Sequence, residues 1–330
     1  MDKSRLLEIV SAFPGKKVAV IGDVMLDKTT LVSERNRSVP DDHSVPVLNK
    51  KRSSYSLGGA ANVANGISKM AGNSFLYSTI GQDNEGLEMR SMAIRNNISF
   101  RHFFSSGVTT LKESIVNEGT GKKLSRIDSE KIRELGQETA DKIYRRLEED
   151  GPFDAFVLSD YDKEMFRGNY GVGLAQRVIA LGNERGIDVI ADPKPVNIFA
   201  FKRGSVICPD KDAAIEIVKI PRSIDQEFFS ESLFRIVESD AAYVTLGKEG
   251  IYLFRRGVKN PDWIETKPVV RPSPVGAGDS VTVALALSLS SKASYEEAGM
   301  IANLTARVAC SHSGTYAVPI EELIKEIESF

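Results

Sequence analysis

Lys16-Lys17-Val18-Ala19-Val20-Ile21-Gly22-Asp23 is the stretch from which the fold of this 330-residue chain is best read. Four apolar residues run without a polar break and stop at a glycine and an acid. That is the pattern of a strand buried on both faces, which occurs where helices cover a parallel sheet on each side. Outward from it, the chain beyond residue 153 alternates regularly: strands are expected at 155–158, 189–191, 206–208 and 243–246, a hairpin strand at 251–254, and helices at 172–185, 213–218, 227–237, 277–291, 294–310 and 319–329. Strands alternating with helices predict an α/β fold with a mostly parallel central sheet. Ligands of such sheets lie beyond the carboxyl ends of the strands. Gly22-Asp23, Ser159-Asp160, Asp192-Pro193 and Pro209-Asp210 all fall at such ends, so acidic residues recur where a ligand would sit.

Two polar stretches, about 28–57 and 98–127, interrupt the alternation. Their short alternating pieces, such as Val45-Pro46-Val47-Leu48 and 113–117 before the Gly119-Thr120-Gly121 turn, read as exposed strands. Together they predict one small β-lid. Between them a helix is expected to open after Gly58-Gly59, with Ala60, Ala64, Ile67 and Ala71 on its apolar face and Gly72 as its cap, followed by a strand at 75–80.

Composition narrows the function. A net charge of -2 gives no electrostatic ground for nucleic acid or an anionic membrane as partner. The hydrophobic share of 42% suits a globular core. Cys208 and Cys310 end separate apolar runs without ligand spacing, as buried free thiols do, and His43, His102 and His312 are scattered. The charged start, MDKSRLLEIVSAF, does not suit a signal peptide, and no apolar run approaches the roughly 18 residues of a membrane span. A cytoplasmic protein is therefore expected. Lys50-Lys51-Arg52 reads as a solvated turn. Walker, nucleophile-elbow and zinc-protease motifs do not occur, and Gly22-Asp23-Val24 fails the dinucleotide fingerprint.

The chemistry concentrates in Ser273-Pro274-Val275-Gly276-Ala277-Gly278-Asp279-Ser280, followed by the apolar run 281–289. Two glycines around an alanine permit a tight turn, and the helix behind turns its unpaired N–H groups toward the loop. Such a loop suits a migrating phosphoryl group, with Asp279 ready to take a proton from an attacking hydroxyl. Alone, the four residues also suit a glycine turn with Asp279 as N-cap.

Gly276-Ala277-Gly278-Asp279 opening a helix resembles the carboxy-terminal signature of the ribokinase-like (PfkB) sugar kinases. Three further blocks match in order: Gly22-Asp23-Val24-Met25-Leu26-Asp27, Gly58-Gly59-Ala60-Ala61-Asn62-Val63-Ala64, and Thr245-Leu246-Gly247-Lys248-Glu249-Gly250. The resemblance spans nearly the whole chain. It implies a three-layer ribokinase-like fold over 1–330 with the lid segments inserted, and an ATP- and Mg2+-dependent kinase that forms a homodimer through its lids. It further implies Asp279 as base within a Gly276, Ala277, Gly278 anion hole, sugar contacts from Asp23, Asp27, Gly58, Gly59 and Asn62, and a nucleotide side at Thr245, Gly247 and Gly250.

Val157-Leu158-Ser159-Asp160-Tyr161-Asp162-Lys163 and Asp192-Pro193-Lys194 are similar to stretches of the family's heptose 7-phosphate kinases. On that likeness the acceptor is a sugar or sugar phosphate, with Lys163 and Lys194 near its phosphate and Arg37 closing from the lid. The chain also departs from the family. Pro209-Asp210-Lys211-Asp212-Ala213 stands where a magnesium-organising Asn and Glu are usual, leaving Asp210 or the nearby Glu216 to serve the metal through water. Pro274-Val275 precedes the loop in place of a polar residue, Val283 replaces a usual glycine, Glu164 stands where the heptose kinases have glycine, and their lid stretch survives loosely as Arg37-Ser38-Val39-Pro40 and Val45-Pro46-Val47. The alternative to a working kinase is a relative that binds sugar without transferring phosphate.

Overall fold

The computed structural model describes residues 2–34, 47–219, 226–270 and 272–330. Its strands are β1 (Lys17–Gly22), β2 (Val24–Glu34), β3 (Leu48–Gly59), β4 (Asn73–Ile80), β5 (Ser99–Phe104), β6 (Thr110–Asn117), β7 (Lys123–Ser129), β8 (Ala155–Ser159), β9 (Asp188–Asp192), β10 (Val206–Ile207), β11 (Ala241–Thr245), β12 (Ile251–Arg255) and β13 (Asp262–Ile264). Its α-helices are α1 (Lys3–Ser11), α2 (Ala60–Lys69), α3 (Asn84–Arg95), α4 (Gln137–Asp150), α5 (Gly168–Arg185), α6 (Lys211–Val218), α7 (Gln226–Val237), α8 (Ala277–Ser290), α9 (Tyr295–Cys310) and α10 (Ile320–Ser329).

A nine-stranded sheet in the order β13-β12-β11-β10-β9-β8-β1-β4-β5 forms the middle layer, parallel except for the β11-β12-β13 meander. The side-chain period of two explains how β1 serves both faces: Val18 and Val20 pack with α1, α2, α3, α8, α9 and α10, while Ala19 and Ile21 pack with α4, α5, α6 and α7. The fold is thus a three-layer α/β arrangement, as the sequence resemblance implies.

A second sheet of four strands, β3-β2-β6-β7, forms the lid. It is mixed: β2 pairs antiparallel with β3 and parallel with β6. Part of the stretch expected to belong to it does not. Residues of β5 pair in parallel with β4 and extend the main sheet, because α3 supplies the crossover that such a pair requires. Helix α3 itself is hard to read in sequence, since Leu87 and Ile94 face solvent and blur the period set by buried Met89, Met92 and Ala93. Lys50, Lys51 and Arg52 lie within β3 as exposed strand residues, not in a turn. Helix α2 ends at Lys69, and the left-handed residue behind it is Ala71, at φ 61°, not Gly72, whose N–H returns to the Ile67 carbonyl at 3.0 Å. Val283 is accommodated by Gly66 on α2: a Cβ there would lie 2.7 Å from Val283 Cγ2, so the valine fills the space that the glycine leaves.

Candidate active site

The chain leaves the main sheet at Gly22, and after the single residue Asp23 it enters the lid as β2; it returns where β3 ends at Gly59 and α2 begins. The two crossings touch. Ala60 N–H donates to the Asp23 carbonyl at 2.9 Å, and a Cβ on Gly59, which sits at φ 60°, would fall 2.4 Å from that oxygen. Only glycine fits there. The Asp23 carboxylate has a different task from the sugar contact expected of it. Its two oxygens accept the backbone N–H groups of Tyr161 (3.0 Å), Lys163 (3.1 Å), Glu164 (2.9 Å) and Met165 (2.9 Å), and it is buried. Four donors fill the acceptor capacity of a carboxylate, so Asp23 fixes the loop after β8 and has nothing left for a ligand.

Helices α2 and α8 both start behind a left-handed glycine, Gly59 and Gly276. In each, the third residue points into the site. Asn62 Nδ2 donates to Asp279 Oδ2 at 2.6 Å, and Tyr161 Oη donates to Asp279 Oδ1 at 2.5 Å. Asn62 therefore orients the acid; its amide is not turned to a sugar. Burial raises the Asp279 carboxyl above its ordinary range, while the two hydrogen bonds pull it back. In the loop itself, the Ala277 N–H already donates to the Pro274 carbonyl at 3.2 Å. The N–H groups of Gly278 and Asp279 have no partner among the described residues, as the first turn of a helix leaves them. An anion would meet these two amides.

In front of Asp279 lies a cavity of about 280 Å³, walled by the lid and by the strand ends of the main sheet. Asp27, Gly58 and Gly59 line it, as expected of sugar contacts, and so do Lys194, Asp210, Thr245, Gly276 and Gly278. The Asp27 carboxylate has no hydrogen-bond donor among the described residues, and burial raises it while Lys112 and Arg126 oppose the rise. Lys112 and Arg126 come from the lid, where strand register sets Asp27, Lys112 and Asp128 in one row. Arg126 forks onto Asp128 at 2.7 and 2.9 Å. Lys194 makes no ion pair among the described residues; its Nζ stands 5.2 Å from the Tyr161 ring centre. Lys163, expected beside it, pairs instead with Glu130 at 2.9 Å and does not line the cavity. Glu164 is turned away, taking hydrogen bonds from Thr79 (3.1 Å) and Ser105 (3.0 Å). Arg37 lies outside the described residues.

Asp192 lines the same cavity and is pushed up to about 7 by burial, with Asp279, Asp160 and Asp210 adding to the rise and Lys194 opposing it. Behind it, Asp160 is pushed up to about 6 by burial and by Asp23. Its carboxylate accepts from the Lys194 N–H at 2.9 Å and from Asn197 Nδ2, holding the loop after β9.

A second groove, of about 340 Å³, opens on the other side of the loop. Thr245, Gly247 and Gly250 line it together with Ile251, Val269, Pro272, Val281 and Ala306. Thr245 and Gly278 belong to both spaces, so the two meet at the start of α8. Asp210 stands at this junction as the N-cap of α6, with Oδ1 accepting from Ala213 N–H at 2.8 Å. Glu216 is exposed on α6 and lines neither space. No group of three His, Cys, Asp or Glu among the described residues could hold a metal by itself. Asp210 and Asp192 are the carboxylates on the cavity wall that could reach a metal ion through water.

Residues 15–323 match the pfkB family of carbohydrate kinases. The chain belongs to the PfkB carbohydrate kinases. Among curated relatives, it is 28% identical over 333 residues to the Bifunctional protein HldE of Bradyrhizobium diazoefficiens, covering 99% of this chain and 65% of that protein. It is 29% identical over 326 residues to the Bifunctional protein HldE of Helicobacter pylori strain J99, covering 93% and 65%. The chain thus spans about two thirds of the length of these relatives. Among solved structures, phosphofructokinase-2 from Escherichia coli in complex with potassium is similar at a TM-score of 0.77 and 17% identity, covering 96% of this chain and 99% of that one. Ribokinase from Giardia lamblia follows at 0.73 and 16%, with 96% and 99% covered.

Of the residues that line the cavity, the sequence motifs include the loop, the glycines and Asp192 but give no role to Tyr161, Lys112 or Arg126. Tyr161 lies within the 157–163 stretch, whose lysine is the residue with a positive charge. Lys112 and Arg126 carry no local signal, since only strand pairing turns them inward. Cys208 and Cys310 are free thiols, and no helix among the described residues is long and apolar enough to cross a membrane.

Proposed function

We propose that this kinase transfers the γ-phosphoryl group of ATP to a hydroxyl of a phosphorylated sugar, with Asp279 as the base and the Gly278 and Asp279 amides as the anion hole. A heptose 7-phosphate attacked at its anomeric hydroxyl is the acceptor that the motif resemblance favours. The observation that carries the reading is Asp279 at the junction of a charged cavity and an apolar groove, oriented by two hydrogen bonds beside two open amides. The phosphate on the acceptor is supported by Lys112, Arg126 and Lys194, three cations on the walls of one cavity. Asp27 and the lid glycines face the sugar hydroxyls.

In the reaction, Asp279 receives the acceptor's proton as the acceptor oxygen bonds to the γ-phosphorus. The bond from that phosphorus to the β,γ-bridging oxygen breaks, and ADP leaves with the electron pair. Gly278 and Asp279 N–H groups face the charge that spreads over the transferred oxygens, and Lys194 adds a cation on the acceptor side. Magnesium would neutralise triphosphate charge, with Asp210 and Asp192 as its carboxylates through water. The exposed Tyr55, Leu124 and Ile127 of the lid support pairing with a second copy.

The test is ADP release from MgATP with D-glycero-D-manno-heptose 7-phosphate and with the unphosphorylated heptose. Turnover should favour the phosphorylated sugar, and Asp279→Asn should lower it by about two to four orders of magnitude without loss of fold. Sugar phosphate bound tightly by the wild-type protein with no ADP released would replace the kinase reading with that of a sugar-binding relative.

A further inference from the structure

Tyr161 stands at the centre of the site, although neither a glycine motif nor a charge marks it. Its hydroxyl is 2.5 Å from Asp279 Oδ1, and its ring lines the acceptor cavity. Lys194 Nζ from the main sheet and Lys112 Nζ from the lid stand 5.2 and 6.0 Å from its ring centre. Its backbone is held as firmly as its tip, because its N–H is one of the four that Asp23 binds. The loop cannot let the ring swing without giving up buried, charge-assisted hydrogen bonds. Burial, and the charge of Asp279 beside it, keep the phenol a donor by raising it well above its ordinary value.

A carboxylate with one oxygen held by Asn62 and the other by Tyr161 has a fixed plane. Its remaining lone pairs then point in set directions, one of which an acceptor hydroxyl must meet. Hydrogen bonds to the charged form also favour ionisation, offsetting the burial that works against it.

We propose that Tyr161 is a positioning residue for phosphoryl transfer: its hydroxyl fixes the base Asp279, and its ring, with Lys112 and Lys194 beside it, ties that base to the cations that receive the acceptor's anionic group. The inference rests on Asp279 being the base.

Tyr161→Phe keeps the ring and removes only the donor. With MgATP and D-glycero-D-manno-heptose 7-phosphate, kcat should fall about ten- to a hundredfold, the range for losing a hydrogen bond to a charged group. The KM for ATP should stay within about twofold. Losing the donor raises the Asp279 pKa, so the acid limb of the kcat profile should move to higher pH, which a merely structural role would not do. Tyr161→Ala should add a rise in the KM for the acceptor, through loss of the ring. Incorporating 3-fluorotyrosine at 161 leaves the shape nearly unchanged and strengthens the donor, so the acid limb should move to lower pH. Thermal melts of each protein separate these effects from loss of fold. If Asp279→Asn is inactive while Tyr161→Phe matches wild type in kcat and acid limb, the inference falls and the kinase reading stands. If Asp279→Asn keeps near-normal turnover, the assignment of Asp279 as base falls and the inference falls with it.

Discussion

The charged cavity and the groove beside it meet at one loop and are built from different materials. The first carries Asp27, Asp192, Lys112, Arg126 and Lys194, with the lid as one wall; the second is walled mainly by apolar side chains such as Ile251, Val269, Pro272, Val281 and Ala306, joined by Lys248, Lys267 and Arg307 but by no acid among the described residues. A charged space recognises a ligand by paired hydrogen bonds and rejects one that leaves them unpaired, whereas an apolar slot recognises by shape and cover. On the proposed function, the difference teaches that specificity for the sugar and affinity for the nucleotide would depend on separate residues, although Thr245 and Gly278 line both spaces.

The largest expected effect tests that separation directly. Lys112→Ala combined with Arg126→Ala should lower kcat/KM for a sugar phosphate by about a hundred- to a thousandfold, as charge-assisted partners are lost. The KM for ATP should change less than about twofold, and equal losses on both substrates would show that the two spaces do not act separately. In the same assay Lys163→Ala should stay within about twofold of wild type, because it pairs with Glu130 and does not line the cavity.

The groove gives the converse. Gly250 sits at φ 96°, and a Cβ there would meet the Ile264 carbonyl oxygen at 2.1 Å. Gly250→Ala should destabilise by about 1–3 kcal/mol and raise the KM for ATP about tenfold, with the sugar's KM little changed. Denaturant melts and steady-state kinetics read both.

A smaller effect separates charge from structure in the cavity wall. Asp192 is pushed up to about 7, so the folded protein keeps a proton that the unfolded chain releases in the ordinary carboxylate range. The stability from that proton is full below the unfolded pKa and is lost as pH rises through about 7. Asp192→Asn should therefore melt a few degrees above wild type at about pH 8 and gain nothing near pH 4. An equal gain at both pH values would mean that burial of the Asp192 charge among other acids is not its source.

The smallest concerns Asp210, which caps α6 and also borders the cavity. Asp210→Ala should lose about 1 kcal/mol of stability, whereas Asp210→Asn keeps the cap and loses little. If the carboxylate also serves magnesium, both variants should need more of it for half-maximal rate. An Asn variant with wild-type magnesium dependence would reduce Asp210 to a cap.

Much of the architecture was legible because it depends on local pattern. The apolar run of β1, the helix-strand alternation after residue 153 and the apolar length of α8 are statements about neighbours in sequence, and burial on both faces follows from them. The glycines were legible for the same reason: Gly59 and Gly276 are needed where they stand because the backbone enters a helix through the left-handed region. Where local pattern misled, a tertiary neighbour had changed its meaning. The polar residues of β5 read as lid until α3 brings that strand to the edge of the main sheet, and Val283 reads as a defect until Gly66 is found opposite it.

What the sequence determined by itself is the α/β class, the strand ends on which a site can be built, and the Gly276–Asp279 loop with its acid. What only the tertiary structure decided is which side chains serve that acid and which serve the scaffold. Asn62 and Tyr161 lie 217 and 118 residues from Asp279 and meet it only because two helix starts and the loop after β8 converge. Asp23, Lys163 and Lys194 look alike in sequence as polar residues after strands, yet Asp23 is filled by four backbone donors, Lys163 is held by Glu130, and Lys194 alone of the three lines the cavity. The physical reason is that a carboxylate or ammonium is defined by its partners. Those partners are set by packing across the whole chain, where the energy of satisfying a buried charge outweighs any local preference.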